Sequence, residues 1–170
     1  MRASLGLTSE LTVGHVGSLI YPKNHPFLID SFAALHAKHP DSVLLLVGVG
    51  ADREALESKA AGLGLSDCVR FLGLRTDVQD LLQAMDVFAF PSHYEGLSVA
   101  TVEAQAAGLP VLISDKVPIE CKKTDRVFVQ PLESGPEAWA DTMLRLAGEG
   151  HTDTYAQIVE NRFDITENAR

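Results

Sequence analysis

Val43-Leu44-Leu45-Leu46-Val47 is a continuous apolar run, and the chain continues from it through Gly48-Val49-Gly50. A run this short and this apolar is typical of a strand that is buried on both faces of a parallel sheet. Helices must cover both faces of such a sheet, because its side chains point to both sides. The run therefore predicts an α/β fold with parallel strands.

The rest of the chain alternates in the same way. A strand at residues 11–17 precedes a helix whose apolar residues recur at helical spacing from Phe27 to Leu35. Further helices are predicted at 53–61, 78–85, 99–107 and around 139–146, and further strands at 69–72, 87–90, 111–113 and 127–129. This order predicts a doubly wound, Rossmann-like sheet of about six parallel strands. Ligands of such sheets bind beyond the carboxyl ends of the strands, where the strand order reverses.

Composition narrows the class of protein. The chain has 170 residues, of which 46% are apolar and 22% are charged, which fits one folded domain. The formal net charge of -9 argues against nucleic acid as a partner. Cys68 and Cys121 have no metal-type partners nearby in sequence and are expected to be reduced thiols without a role. The first seven residues lack a signal-peptide pattern, so we expect a cytoplasmic location.

The turn from Pro91 to Ser98 is the richest in chemistry. Ser98 is predicted to cap the following helix, which leaves the N–H groups of Val99, Ala100 and Thr101 free at the positive end of the helix dipole. Such a helix start is suited to binding a phosphate. Gly96 would let the main chain come close to that ligand and adopt a positive φ.

Two glutamates flank this helix start. Glu103 shares a helix face with Val99, and its neighbours are so apolar that the helix is expected to be buried, where a carboxylate needs a partner. Two ribose hydroxyls would supply the hydrogen bonds, and Glu95 could bind a second sugar. The alternative is that Glu103 pairs with a buried arginine and that Glu95 is only solvated.

Two other turns contribute polar groups. The turn after the first strand offers Lys23, which could neutralise a diphosphate, although a single lysine in a turn is usually solvated. The turn at 73–77 offers Arg75 and main-chain groups to a nucleobase, although Asp77 could instead cap a helix. Gly48 and Gly50 do not complete a dinucleotide-binding fingerprint, because Arg53 stands at the position of the third glycine.

The histidines give no catalytic constellation. His15 and His93 are expected beside the site, but no serine or cysteine nucleophile with a base can be argued from the spacing. His25 is expected to be exposed. We therefore predict no catalytic role for any histidine.

The spacing Glu95-x7-Glu103 after Pro91-Ser92, together with Gly96-Leu97 and Ala104-x3-Gly108-Leu109-Pro110, resembles the retaining glycosyltransferases of family 4, which have the two-domain GT-B fold. The resemblance covers about residues 10 to 146 and is strongest to the branch that builds capsular and exopolysaccharides. Five further motifs match in order: residues 14–17, Lys23-Asn24-His25, residues 46–50, residues 69–73 and Asp86-Val87-Phe88.

The resemblance implies roles for individual residues. The second glutamate of the family motif holds the ribose, which maps to Glu103, and the first contacts the transferred sugar, which maps to Glu95 as the catalytic position. Lys23 would bind the diphosphate. The other donor-binding positions are Gly17, Ser18, Arg75, Gly96, Leu97, Ser98 and Val99. No metal or other cofactor is implied.

Two positions depart from the family pattern. Ser18 stands where the family usually has an arginine, which removes one cation from the diphosphate site. Ser98 stands where a proline is common. The implied donor is a UDP-sugar, whose hexosyl group is transferred to a polysaccharide or lipid-linked acceptor.

The resemblance also implies a division of the chain. Residues 1–10 would be a remnant of an interdomain linker, residues 11–150 the donor-binding domain, and residues 151–170 a truncated C-terminal helical segment. An acceptor domain would precede this chain and make any contact with the inner membrane surface. Without it, we expect weak donor binding and no detectable transfer. A non-catalytic nucleotide-sugar-binding module or subunit and a GT-B epimerase are the alternatives.

Overall fold

The computed structural model describes residues 1–161, and within them it contains one parallel sheet of six strands. The strands are β1 (Leu11–Val16), β2 (Ser42–Val47), β3 (Val69–Gly73), β4 (Val87–Phe90), β5 (Val111–Ser114) and β6 (Val127–Gln130). The helices are α1 (His25–Lys38), α2 (Arg53–Gly62), α3 (Val78–Gln83), α4 (Val99–Ala106), α5 (Gly135–Ala147) and α6 (Tyr155–Glu160). The predicted doubly wound α/β sheet is confirmed.

The strand order places a switch point at the centre of the sheet. The order is β3-β2-β1-β4-β5-β6, so the chain winds outward in one direction from β1 and in the other from β4. β1 and β4 are direct neighbours, with Val13 opposite Val87 and Gly14 opposite Phe88. The loops that leave these two strands, 17–24 and 91–98, therefore lie side by side at the carboxyl edge.

Both faces of the sheet are buried, as the apolar run of β2 requires. Leu44 and Leu46 pack into the hydrophobic cluster that includes Phe32 of α1 and Trp139 of α5. Leu45, whose side chain points to the opposite face, packs into a second cluster that includes Phe88 and Phe90. The continuous apolar pattern thus reflects two layers of helix around one sheet.

The predicted boundaries shift by a few residues at most elements. α1 begins at His25, two residues before the apolar periodicity that predicted it, and Pro26 suits the first turn of a helix. The expectation that α4 is buried all round was wrong, since only one face is covered and Val99 is 62% exposed. The predicted C-terminal helical segment at 151–170 contains α6, and its residues 162–170 lie outside the described residues.

The first ten residues pack against the amino ends of the central strands. Leu7 is buried in the second cluster. The guanidinium of Arg2 donates to the hydroxyl of Thr12 at 3.1 Å and forms an ion pair with Asp86. The role of this segment as a linker to another domain stays a prediction. Among the helices of residues 1–161, none is both long enough and apolar enough to cross a bilayer.

Candidate functional site

The two loops at the switch point are docked on each other. The backbone N–H of His93 donates to the carbonyl of Pro22 at 2.8 Å. The imidazole of His93 also stacks on the ring of Tyr21, with 4.8 Å between the ring centroids. The topology thus brings residues about 70 positions apart in sequence to one place at the carboxyl edge.

An ion pair joins the same loops. Lys23 Nζ lies 2.5 Å from Glu95 Oε1, and the side chains are only 18% and 10% exposed. Lys23 Nζ also lies 5.0 Å from the centroid of the Phe90 ring, which adds a cation–π contact. The alternatives in which Lys23 and Glu95 are merely solvated were therefore wrong. Each side chain neutralises the other, whereas we expected Lys23 to bind the diphosphate and Glu95 the transferred sugar.

The start of α4 is capped as predicted. Ser98 Oγ accepts from the N–H of Thr101 at 3.4 Å, and the hydroxyl of Thr101 donates back to the carbonyl of Ser98 at 2.8 Å. One part of the expectation was wrong: the N–H of Thr101 is not free, because the cap uses it. The N–H groups of Val99 and Ala100 are left at the positive end of the helix.

The turn before α4 leaves its main chain accessible. A Cβ added to Gly96 would meet no atom within 4 Å, and Leu97 is 54% exposed. The prediction of a positive φ at Gly96 was wrong, since Gly96 is not among the described glycines that have one. The glycine at this position therefore provides open space beside the backbone rather than a left-handed turn.

Main-chain hydrogen bonds shape the loop after β1. The N–H of Gly17 donates to the carbonyl of Val47 at 2.9 Å, and the N–H of Leu19 donates to that of Val49 at the same distance. A side chain at Gly48 would overlap the carbonyl oxygen of Gly17. This close approach explains why residue 48 is a glycine, although Gly48 belongs to no dinucleotide-binding fingerprint. Ser18 is exposed in this loop.

Arg75 forms an ion pair with Asp77. Its guanidinium donates two hydrogen bonds to the Asp77 carboxylate, at 2.8 and 2.6 Å. These bonds lower the pKa of Asp77 and raise that of Arg75. Asp77 occupies the position before α3 but makes no capping bond with its side chain, so the capping alternative was wrong.

A cavity of about 210 Å³ opens beside Arg75 at the carboxyl ends of β1 and β2. Its lining combines main chain with apolar side chains, and Leu74 on its wall is 81% exposed. A flat apolar group with polar edges fits such a lining. The residues that form it include Val16, Gly17, Ser18, Gly48, Leu74 and Val78.

Glu103 faces a second cavity, of about 250 Å³, between α3 and α4. The side chain is half-buried beside Gln79 and Gln83, and no arginine within residues 1–161 pairs with it. The buried-arginine alternative therefore finds no support in the described part of the chain. Val78 lines the first cavity and Gln79 the second, so the start of α3 contributes one residue to each cavity.

Two buried histidines lie next to the ion pair. His25 is 1% exposed, so the expectation that it is exposed was wrong. Asn24 takes a φ of 56° and turns the chain so that His25 packs edge-on against His15, with 4.5 Å between the ring centroids. Burial lowers the pKa of His15 well below its usual value and that of His25 to about 4, so both rings are neutral at pH 7.

Sequence reasoning missed two supporting residues. Gln105 is fully buried on α4, and Cys121 is buried against the turn at 96–98. Its spacing puts Gln105 on the same helix face as Thr101, four positions earlier, but the sequence does not indicate that this face is the covered one. For Cys121 no sequence signal was available, because its contacts depend on how the loop after β5 folds back.

The sequence of this chain matches the model of a known protein family. Residues 10–149 fit the model of the family described as "Glycosyl transferases group 1". The chain belongs to this family.

The relatives of this chain include a protein named as a glycosyltransferase and a protein of polysaccharide biosynthesis. EpsF of Bacillus subtilis (strain 168), a protein named as a glycosyltransferase, is 36% identical over 154 residues, which are 88% of this chain and 39% of EpsF. The Vi polysaccharide biosynthesis protein VipC/TviE of Salmonella typhi is 38% identical over 105 residues, which are 61% of this chain and 18% of that protein. This chain thus spans well under half the length of these relatives.

A solved structure shares the whole fold. HepE of Anabaena, crystallised in complex with UDP and glucose, superimposes with a TM-score of 0.81 at 25% identity. The superposition covers 99% of this chain and 48% of HepE. The fold is therefore that of one half of a GT-B glycosyltransferase. The described residues contain no cluster of three or more His, Cys, Asp or Glu side chains that could hold a metal ion.

Proposed function

We propose that this chain is the nucleotide-sugar-binding half of a retaining glycosyltransferase that transfers a hexosyl group from a UDP-type donor to a polysaccharide or lipid-linked acceptor. The observation that carries the proposal is the docking of Lys23 and Glu95 beside the capped start of α4, at the switch point of the sheet. This arrangement puts a cation, a helix start and a carboxylate within reach of one ligand.

The donor would extend across the site in three parts. The nucleobase fits the cavity beside Arg75, in contact with main-chain groups as well as the apolar wall. The ribose lies toward Glu103, whose unpaired carboxylate can accept from two hydroxyls. Val78 and Gln79, which are neighbours at the start of α3, each line one of the two cavities, and this supports a base and a ribose that are joined covalently.

The diphosphate and the sugar occupy the loops. The free N–H groups at Val99 and Ala100 and the main chain at Gly96 would bind the diphosphate, with Lys23 as the cation. Glu95 would contact the transferred sugar and is our candidate catalytic residue. Ser18 supplies no charge at the position where the family usually has an arginine. Of the two cations that the family uses for the diphosphate, this chain therefore has only Lys23.

The complex of HepE with UDP and glucose supports the choice of a UDP-hexose, because that structure is similar over nearly all of this chain. The name of VipC/TviE supports a role in polysaccharide synthesis, and the name of EpsF supports glycosyl transfer. We further propose that transfer needs no metal or cofactor, that it takes place in the cytoplasm, and that the acceptor and any membrane are met by a domain outside this chain.

Two assays test this function. Calorimetric titration of the chain with UDP, GDP and ADP should give measurable, weak binding that is tightest for UDP. The chain alone should transfer no sugar, whereas the protein that contains the acceptor domain should release UDP together with a transferred hexose. Release of an epimerised free sugar would instead identify an epimerase, and nucleotide binding without any transfer would identify a binding module.

A further inference from the structure

The carboxamide of Gln105 is buried and fully hydrogen-bonded. Nε2 donates to the carbonyls of Thr101 at 2.9 Å and Cys121 at 2.8 Å, and Oε1 accepts from the backbone N–H groups of Lys123 at 2.8 Å and Thr124 at 3.0 Å. A buried polar network in which every group is satisfied rigidifies the elements that it joins. Gln105 thus fixes the segment at 121–124 to α4.

The thiol of Cys121 continues this network into the donor-binding turn. Cys121 is 1% exposed, and its Sγ accepts from the N–H of Ser98 at 3.4 Å. The same Sγ lies 3.7 Å from the carbonyl of Gly96, to which it can donate. One side chain therefore holds the main chain on both sides of Leu97.

The turn has few other restraints. A Cβ at Gly96 would meet nothing within 4 Å, and the side chain of Leu97 is mostly exposed, so neither residue anchors the turn by packing. A main chain that binds phosphate must present its N–H groups in a fixed direction, since each misdirected group must be reoriented on binding. The sulfur contacts satisfy the carbonyl of Gly96 and the N–H of Ser98.

We infer that Gln105 and Cys121 are positioning residues that hold the main chain of Gly96, Leu97 and Ser98 in the shape that binds the diphosphate of the donor. This inference rests on the proposed function and adds to it the parts that shape the diphosphate subsite. It separates binding of the diphosphate from binding of the nucleoside, because neither residue lines the two cavities beside α3.

The test compares UDP with uridine, since only UDP reaches the turn. NMR titration of both ligands gives the ratio of their affinities for the wild type and for two variants. Cys121→Val keeps the approximate shape of the side chain but removes both sulfur hydrogen bonds. Cys121→Ser keeps a donor and an acceptor. We expect Cys121→Val to lower the affinity for UDP by about fivefold to tenfold, which is the effect of about one lost hydrogen bond. The affinity for uridine should stay within about twofold of the wild-type value. Cys121→Ser should retain most of the wild-type ratio.

A second pair of variants tests the link to Gln105. Gln105→Glu keeps the acceptor oxygens but can no longer donate to the carbonyl of Cys121. It should lower the same ratio, and the double variant with Cys121→Val should lose little more, because residues of one network are not additive. If Gln105→Glu does not fold, as judged by its thermal melting, the Cys121 variants decide alone.

The outcomes separate the inference from the proposed function. A wild-type ratio in Cys121→Val, or an equal loss of UDP and uridine, overturns the positioning role and leaves the proposed function intact. Additive losses in the double variant overturn the link between the two residues. A wild-type chain that binds neither ligand overturns the proposed function, and the inference with it.

Discussion

The ion pair between Lys23 and Glu95 joins two residues that we expect to contact different parts of the donor. The two side chains are largely buried, and Lys23 Nζ also contacts the Phe90 ring. A diphosphate must compete with the Glu95 carboxylate for the single ammonium group of Lys23. At the scale of one residue, Glu95 should therefore lower the affinity for UDP and contribute to binding of the sugar.

Replacement of Glu95 by Gln separates these two effects. Glu95→Gln removes a negative charge beside the diphosphate and frees Lys23, so we expect the affinity for UDP to stay equal or to rise by about threefold to tenfold, more at low salt than at high salt. The affinity for UDP-glucose relative to UDP should fall. Calorimetric titration of both ligands measures this, and Glu54→Gln, an exposed site on α2, is the control for the change in net charge.

The contrary result is a clear one. A tenfold loss of UDP affinity in Glu95→Gln, with no change in Glu54→Gln, would mean that Glu95 supports the diphosphate rather than the sugar. The role assigned to Glu95 would then be wrong.

The start of α4 is both a structural cap and a proposed anion site, and the two roles make different demands on residue 98. A serine, threonine or aspartate can cap, because each offers an oxygen to the N–H of Thr101. Only a neutral cap leaves the helix start free for a phosphate. At the scale of one element, the two roles can therefore be separated by charge.

Three variants of Ser98 test this separation. Ser98→Ala should lower the free energy of unfolding by about 1 kcal/mol, which corresponds to a melting temperature lower by about 2 to 4 °C. Ser98→Asp should melt near the wild-type temperature and bind UDP at least about tenfold more weakly, because its carboxylate occupies the positive helix end. Ser98→Thr is the neutral control. If Ser98→Asp binds UDP as tightly as the wild type does, the diphosphate does not bind at the start of α4.

At this scale the sequence predicted much of what the structure contains. The apolar runs, the alternation of strands and helices and the cap at Ser98 are local patterns, and each was confirmed within a few residues. The exposed face of α4 was missed, because an apolar helix of alanines and valines carries no mark of which side is covered. Local composition predicts an element more readily than its surroundings.

The contacts between distant residues could not be predicted in this way. The spacing supported Glu95 and Glu103 as a pair, yet gave no reason to expect Lys23 on Glu95, Arg75 on Asp77 in place of a cap, or His25 in the interior. Each depends on how two loops dock, which is set by the strand order and not by either loop alone. Gln105 and Cys121 were overlooked for the same reason.

The buried histidines affect the stability of the whole molecule. The folded protein holds the pKa of His25 at about 4, below the value of about 6.5 expected when unfolded. The unfolded chain therefore binds more protons between these values, so stability is fully present above about pH 6.5 and is lost as the pH falls toward 4. The lowered pKa of His15 acts in the same direction.

Urea unfolding at several pH values measures this dependence. Between pH 6.5 and 5.5 the free energy of unfolding should fall, with a slope approaching about 1.4 kcal/mol per pH unit from His25 and a further contribution of the same sign from His15. His25→Phe keeps an aromatic ring but cannot titrate, so the slope of this variant should be smaller by the contribution of His25. Carboxylates protonate mainly below this range. An equal slope in both proteins would show that His25 is not the titrating group.

The ribose-binding role of Glu103 is the central claim, because it unites the unpaired carboxylate, the cavity between α3 and α4 and the family motif. Calorimetric titration of UDP and 2′,3′-dideoxy-UDP into the wild type and Glu103→Ala tests it directly. Each hydrogen bond from a hydroxyl to the carboxylate is worth about 1.5 to 3 kcal/mol, so Glu103→Ala should bind UDP at least about tenfold more weakly than the wild type and dideoxy-UDP equally well. Equal UDP affinity in both proteins, or no nucleotide binding by the wild type, would contradict the account.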